Sequence, residues 1–308
     1  MDGALGEFAA AVVRIATPLL FAALGGLVSE RAGVFAVGLE GMMLAGGFGG
    51  VLASHLTGST GVGLVASALA GVMLAAIVAV ATVRFATDQM VTGLAVNILA
   101  LGLTSFLLRG LGRGEAAIIR VPTLAPLPVP GLADLPGLGP VLFRQPPLTY
   151  AAALAVVLVA IFLFRTRAGL TLRAVGESPR AAFAVGADPA RVRAGAVLVC
   201  GALAGIGGAV LSLQQVGTFT DAMTNGRGYL ALAAIIVGRW MPFGTVLGCL
   251  LFGAADALQL RVQGFRLPVS SYVIQMLPYV VALAVLAGLG RSARLPAGLG
   301  TPFLRERP

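Results

Sequence analysis

Residues 194–213, AGAVLVCGALAGIGGAVLSL, form a run of 20 residues that contains five glycines and no charged side chain. A helix rises about 1.5 Å per residue, so this run would extend about 30 Å, which matches the hydrocarbon core of a bilayer. It therefore predicts a transmembrane helix. The glycines predict close contact with neighbouring helices, because small residues let helix backbones approach each other in lipid.

The rest of the chain repeats this pattern. Seven other runs are apolar and long enough to cross a membrane: 8–28, 34–54, 61–83, 90–108, 148–164, 243–260 and 272–289. A ninth run, 229–237, either crosses with the help of its flanking residues or dips in and returns. Hydrophobic residues make up 58% of the chain and charged residues only 11%, against about 25% charged in soluble domains. Residues 1–308 thus predict one all-α domain, a polytopic transmembrane bundle of eight to nine segments with one short or re-entrant.

The basic residues, all of them arginine, predict the topology. Six lie in the 29 residues of 165–193, and the positive-inside rule places such a loop in the cytoplasm. Residues 109–147 contain eight of the 17 prolines and predict an irregular external loop. The arginines of the tail favour a crossing of 229–237, which would place the tail in the cytoplasm. Because basic residues and aromatics are not clustered together, nucleic acid is not a predicted partner; membrane lipid is.

Catalytic and metal-binding residues are not predicted. The chain has one histidine, His55, so histidine-based triads and zinc sites lack ligands. It has no lysine, and a Walker A loop requires one. If transport uses ATP, another subunit must bind it, and this chain is not itself an enzyme.

A few polar side chains within apolar runs or at their ends are candidates for a solute pathway, because such residues are costly in a membrane. These are Glu40, Asn97, Gln89 and Gln214. Hydrogen bonds between helices would also explain the first three, and an ordinary solvated loop would explain Gln214, which follows the run 194–213 at a predicted external helix end. A weak internal echo, with glycines and polar residues around short apolar stretches at 29–50 and 226–248, is typical of the broken helices that surround transport sites.

The loop 165–193 contains a predicted short helix. Ser178 is suited to cap it, Pro179 to occupy its first position and Gly186 to end it. A short basic helix between two spans is either a solvated linker or a docking element for a cytoplasmic partner. The residue pattern leaves both open.

Four stretches resemble permease subunits of ABC-type importers for nucleosides and simple sugars, the ribose and branched-chain amino acid type of permease. They are ERAGVFAVGLEGMM (30–43), TDQMVTGLAVN (87–97), LRAVGESPRAA (172–182) and GRGYLALAAIIVGRWMPFG (226–244). They occur in the family's order within about residues 30–288. The chain is identified as a member of this family.

The resemblance implies a permease of the bacterial cytoplasmic membrane that carries a nucleoside or simple sugar. The implied partners are a cytoplasmic ATPase that binds ATP and Mg²⁺, a second permease, homologous or identical, and an external solute-binding protein or lipoprotein. The implied coupling helix comprises Glu177, Ser178, Pro179, Arg180, Ala181, Ala182 and Gly186. The alternative is an ion-coupled secondary transporter of a small polar solute, in which Glu40 would be the ion-binding residue.

Overall fold

The computed structural model describes residues 2–111, 119–131, 139–264, 274–289 and 295–303. Its helices are α1 (Asp2–Arg31), α2 (Leu39–Thr57), α3 (Thr60–Ala79), α4 (Gln89–Leu111), α5 (Pro147–Arg165), α6 (Arg167–Glu177), α7 (Pro179–Ala184), α8 (Pro189–Ala209), α9 (Arg227–Val237), α10 (Pro242–Gly264) and α11 (Leu277–Leu289). π-helical turns extend α3 through Val80–Arg84 and α8 through Val210–Val216.

The predicted helical membrane fold is confirmed, whereas the count of eight to nine segments is not. Of the described helices, six are long and apolar enough to cross a membrane: α1, α3, α4, α5, α8 and α10. Residues 34–38, predicted to begin a span, are not helical. The remaining α2 is rich in glycine and includes Glu40 and His55, and α9 and α11 are only 11 and 13 residues long.

Helix α8 lies at the centre of the bundle and packs against α1, α2 and α3. Its glycines allow this packing. A Cβ atom added at Gly205 would overlap the Ser67 carbonyl oxygen on α3, and one added at Gly208 would overlap the Met43 carbonyl oxygen on α2. The backbones are thus in direct contact, as the glycine-rich sequence predicts for helices in lipid.

The two loops that stood out in the sequence lie at opposite ends of α8. At one end, the amide nitrogens of Val121 and Leu124 donate to the carbonyl oxygens of Gly217 (2.9 Å) and Leu213 (3.1 Å). At the other end, the first turns of α8 adjoin the loop that contains α6 and α7. We call these the proline-rich end and the arginine-rich end. The proline-rich segment is not wholly irregular, because β1 (Leu127–Pro128) pairs antiparallel with β2 (Arg144–Gln145).

The short apolar run 229–237 belongs to a segment that passes from one end of the bundle to the other. Thr218, at the proline-rich end, bridges to Arg120. The chain then descends as coil, forms α9, and reaches Trp240 beside Arg31 at the end of α1. An 11-residue helix covers about 16 Å, roughly half of the hydrocarbon core. Coil and half-helix together span the distance.

Candidate functional site

A buried break separates α1 from α2. Residues 32–38 are not helical, yet most of them are buried, and backbone polar groups at membrane depth must find partners within the protein. Two side chains of α4 supply them. Gln89 Oε1 accepts from the Phe35 amide at 2.8 Å, and Asn97 Oδ1 accepts from the Gly41 amide at 2.8 Å. Asn97 Nδ2 also donates to the Val37 carbonyl at 2.9 Å.

The Glu40 carboxylate binds the start of α9. Its Oε1 accepts from Thr224 Oγ1 at 2.6 Å and from the Gly226 amide at 2.8 Å. Its Oε2 accepts from the Gly228 amide at 2.7 Å. The free amide groups and the dipole at a helix N-terminus both favour a negative charge. Glu40 therefore anchors the first turn of the half-helix to α2.

A second carboxylate anchors the other end of α9. Glu30 is fully buried, and its Oε2 accepts from the Trp240 indole nitrogen at 2.5 Å. Arg31 Nε donates to the Trp240 carbonyl at 2.7 Å. Arg239 and Trp240 have φ angles of +56° and +53°, and residues in such conformations persist where the surrounding structure over-determines them.

Asn97 connects the two breaks, because its Nδ2 also donates to Tyr229 Oη on α9 at 2.9 Å. We call the α1–α2 break, α9 and the side chains that bind them the broken-helix core. It joins the segments 29–50 and 226–248, which resemble each other weakly in the sequence because both have glycines and polar residues around short apolar stretches. Three of the four stretches that carry the family resemblance meet in it.

Of the four predicted pathway residues, the structure brings together Glu40, Asn97 and Gln89 and separates Gln214. Gln214 Oε1 accepts from the Leu148 amide at 3.0 Å, and its Nε2 donates to Thr149 Oγ1 at 3.3 Å. Gln214 thus binds the first turn of α5. The hydrogen bonds described for these four residues are to protein groups, and a role in solute contact stays a prediction.

The short helix predicted within the arginine-rich loop is present as α7. The Ser178 hydroxyl oxygen accepts from the Ala181 amide at 3.4 Å, Pro179 occupies the first turn, and Gly186 follows with a φ angle of +92°. Gly176, at the end of α6, touches the end of α1 so closely that an added Cβ would overlap the Arg31 carbonyl oxygen. The fourth family stretch therefore packs on the broken-helix core from the arginine-rich end.

Residues 295–303, which we call the tail strap, join the same assembly. The Gly298 amide donates to the Gly176 carbonyl at 2.8 Å, and the Gly300 amide donates to the Gly33 carbonyl at 3.3 Å. The buried Arg193 side chain donates to the carbonyl oxygens of Thr301 at 2.8 Å, Gly298 at 3.2 Å and Ala32 at 3.2 Å. One arginine thus holds together the strap and the α1–α2 break.

Sequence reasoning missed Glu30, Trp240 and Arg193 as members of this assembly. Glu30 and Arg193 each lie at the edge of an apolar run, where charged residues are ordinarily loop or interface residues. Glu30 accepts from Trp240, which lies 210 positions later in the chain. Arg193 donates to Ala32, which lies 161 positions earlier. The only signal was that Glu30 and Trp240 both occur in stretches that resemble the same family.

Replacement of Glu40 by glutamine is expected to destabilise the protein. The glutamine side chain has one acceptor oxygen in place of two, so an amide group would face an N–H donor of α9, and hydrogen bonds to charged groups contribute about 1.5–3 kcal/mol each. The apparent Tm of the detergent-purified chain measures this loss. The exposed Glu7→Gln is the matched control. Full stability with abolished uptake would instead assign Glu40 an ion-coupling role.

The fold and the broken-helix core define a polytopic membrane permease, whose interrupted helices have buried backbone groups satisfied by neighbouring spans. The described residues contain no cluster of histidine, cysteine, aspartate and glutamate that could hold a metal ion. The chain belongs to the family of permease components of branched-chain amino acid transport systems, which matches residues 8–287. The resemblance seen in the four stretches is thereby confirmed.

Several proteins named as ABC transporter permeases are similar to this chain over most of their length. The guanosine ABC transporter permease protein NupQ of Bacillus subtilis is 35% identical over 304 residues, which cover 95% of this chain and 94% of the relative. The nucleoside ABC transporter permease protein NupC of Lactococcus lactis is 36% identical, with 94% of each chain covered. The putative glucose ABC transporter permease protein TsgC13 of Haloferax volcanii is 38% identical, covering 83% of this chain and 78% of the relative. The chain is therefore a multi-pass permease subunit of an ABC transporter in the cytoplasmic membrane.

Proposed function

We propose that this chain is the membrane-spanning subunit of an ATP-driven importer for nucleosides. The observation that carries the proposal is the end-to-end similarity to permeases named for guanosine and for nucleosides. Simple sugars are the second candidate class, because a putative glucose permease is 38% identical. The ion-coupled alternative has no support from these relatives, and the Glu40 carboxylate already accepts three hydrogen bonds from protein donors.

The proposed complex joins this permease to three partners. A cytoplasmic ATPase binds ATP and Mg²⁺ and performs the hydrolysis. A second permease, homologous or identical, pairs with this one, and an external solute-binding protein or lipoprotein delivers the solute. Residues 1–308 form one domain of eight to nine membrane segments, with the coupling loop 165–193 in the cytoplasm and the loop 109–147 outside. This orientation is supported by the arginine distribution.

In this proposal α7 is the coupling helix that contacts the ATPase. Support comes from its position at the arginine-rich end and from the contact of Gly176 with the end of α1. Movement of α7 would reach residues 32–38 through α6, the tail strap and Arg193. From there, Gln89, Asn97 and Glu40 connect to α4 and α9. Rigid-body movement of packed elements of this kind is a common means of switching between two states.

Co-purification tests the function directly. The tagged chain is isolated from its native membrane, and the ATPase activity of the complex is measured with guanosine-loaded or glucose-loaded binding protein. Recovery of an ATPase that is stimulated by the nucleoside is the expected result. Recovery of the chain alone, with uptake that survives ATP depletion and collapses with the ion gradient, would overturn the proposal.

If α7 is the coupling helix, alanine substitutions of two glycines with similar local surroundings should affect transport differently. Gly186 and Gly58 both have positive φ angles, +92° and +69°, and neither has an atom within 4 Å of an added Cβ. Alanine at either position strains the backbone by about 1–2 kcal/mol. Gly186 lies in the coupling loop, whereas Gly58 ends α2 at the proline-rich end. We expect Gly186→Ala to lower ATP-driven uptake by about tenfold and Gly58→Ala to leave it near normal.

The amount of protein in the membrane and the Tm are measured for both variants. The two proteins should accumulate to similar levels and lose similar stability, because the strain is of the same kind in both. Uptake that falls equally in the two variants would show that general destabilisation, rather than a defect of the coupling loop, causes the loss.

A further inference from the structure

A polar cleft of about 390 Å³ lies between the start of α9, the middle of α10 and the start of α11. Its polar lining residues are Asn225, Arg227, Asp256, Gln259, Gln275 and Tyr279. Asp256 is 14 residues after Pro242, the first residue of α10, and therefore about 21 Å along the helix axis. That position is within the depth of a hydrocarbon core about 30 Å thick, where ionisable residues are costly and mark functional sites by default.

Among the described residues, the two charged groups that line the cleft, Arg227 and Asp256, are paired loosely. Arg227 Nη2 lies 3.9 Å from Asp256 Oδ2, and the side chains are 27% and 14% exposed. Arg227 Nε is buried and has no hydrogen-bond partner in the part of the chain that the structure describes. A guanidinium carries five N–H donors, and a buried donor without a partner is unfavourable. The Arg227 side chain, which lines the cleft, thus has hydrogen-bonding capacity that the described protein groups do not use.

The cleft is built on the broken-helix core. Glu40 accepts from the amides of Gly226 and Gly228, on either side of Arg227. Tyr279 Oη donates to the Asn225 carbonyl at 2.8 Å, which holds α11 against the same turn. A displacement of α9 relative to α2 would therefore move Arg227 with respect to Asp256 on α10. Under the proposed function, a transport cycle that moves α9 would therefore change the geometry of the cleft.

We propose that this cleft is a solute-binding site of the permease and that its ligand is an uncharged nucleoside. The inference rests on the proposed function and deepens it. One guanidinium and one carboxylate have opposite charges, so an ion of either sign would leave one of them uncompensated, whereas a neutral solute would not. A nucleobase edge presents acceptors suited to arginine and N–H donors suited to a carboxylate. The lining has mixed polarity, because it also includes the amide of Gln259 and the half-exposed phenol ring of Tyr279. The volume of the cleft lies in the range of about 300–1,000 Å³ that is typical of small-molecule sites.

A single introduced cysteine tests the site. The two native cysteines, Cys200 and Cys249, are 1% and 0% exposed, so a hydrophilic maleimide should label Gln259→Cys selectively. The assembled transporter is labelled with and without guanosine, at about ten times the concentration that half-maximally stimulates its ATPase. Occupancy at that level slows labelling by about tenfold. His55→Cys, on an exposed end of α2, is the control that should be labelled at one rate throughout.

The outcomes separate the site from the function. Protection of Gln259→Cys by guanosine and not by glucose supports the site and its ligand class, and protection by glucose alone overturns the nucleoside assignment. If the transporter shows normal ATP-driven uptake but neither solute protects Gln259→Cys from labelling, the cleft is not a solute-binding site, whereas the proposed function is unaffected. A Gln259→Cys that is labelled in the isolated chain but not in the assembled transporter overturns the site in favour of an interface with the second permease. Absence of ATP-driven uptake in the wild type would instead overturn the proposed function.

A second variant checks the same site without a thiol probe. Arg227→Gln retains a polar side chain, although a shorter one, and removes the charged fork. We expect nucleoside uptake to fall by about tenfold or more, since hydrogen bonds to charged groups are the strong ones, with the amount of protein in the membrane unchanged. Unchanged uptake at low solute concentration would overturn the assignment of Arg227 to the ligand.

Discussion

Leucine at Gly205 is expected to abolish accumulation of the folded permease, whereas leucine at Gly195 in the same helix leaves it near wild type. A Cβ atom at Gly205 would lie 3.0 Å from the Ser67 carbonyl carbon and 3.3 Å from Ala68 Cα, besides overlapping the Ser67 oxygen. These are backbone atoms of α3, which cannot rotate away. At Gly195 an added Cβ has no atom within 4 Å.

The physical reason is that α8 would have to separate from α2 and α3 along its length. Overpacking by a few methylene groups in an adaptable core is unfavourable by about 1–3 kcal/mol, and a rigid backbone contact lacks that adaptability. We expect a loss above about 3 kcal/mol, measured as the yield of monodisperse protein in detergent and its apparent Tm. Monodisperse Gly205→Leu with a normal Tm would refute the described packing of α8. An intermediate Tm for Gly205→Ala would support it.

The second large effect is expected at Arg193. Arg193→Ala removes the donor for the carbonyl oxygens of Ala32, Gly298 and Thr301, and each buried acceptor left without a partner is unfavourable by about 1–3 kcal/mol. The tail strap would then detach from the α1–α2 break. We expect ATP-driven uptake to fall by more than about tenfold, with less solute transported per ATP hydrolysed.

Two variants distinguish this role from the effect of losing any positive charge. Arg191, two residues earlier on α8, is exposed and pairs with Asp188 at 3.1 Å, and exposed pairs of this kind contribute about 0–1 kcal/mol. Arg191→Ala should therefore transport normally. Arg193→Lys keeps the charge but cannot span three carbonyls with one ammonium group, so its uptake should remain low. Normal coupling in Arg193→Lys would show that charge alone is needed at this position.

Helix α7 illustrates what could be predicted locally. Ser178, Pro179 and Gly186 each act on backbone within a few residues of their own positions, so the pattern indicates a cap, a first turn and an end. The transmembrane helices are predictable for a similar reason, because hydrophobicity summed over about 20 residues depends on those residues alone. The predicted count of eight to nine membrane segments was not confirmed, because summed hydrophobicity does not show where a helix begins. Residues 34–38, for example, are apolar but not helical.

The polar residues illustrate what could not be predicted. Glu40, Asn97 and Gln89 are conspicuous in the sequence as polar groups within apolar runs or at their ends, and that observation found three members of the broken-helix core. Their partners were out of reach, because the donors of Glu40 lie 184 to 188 positions later in the chain. Gln214 was conspicuous for the same reason and binds α5 instead.

By itself the sequence determined the class of protein, the six long apolar helices among the described residues, the short basic helix and the family, since these follow from composition, local propensity and motifs of adjacent residues. Only the tertiary structure decided that Glu30 and Glu40 anchor the two ends of one half-helix, and that Arg193 joins the tail strap to a break 161 positions earlier. A buried polar group is satisfied by whatever the fold places beside it. Its partner is therefore a property of the packed bundle rather than of the chain.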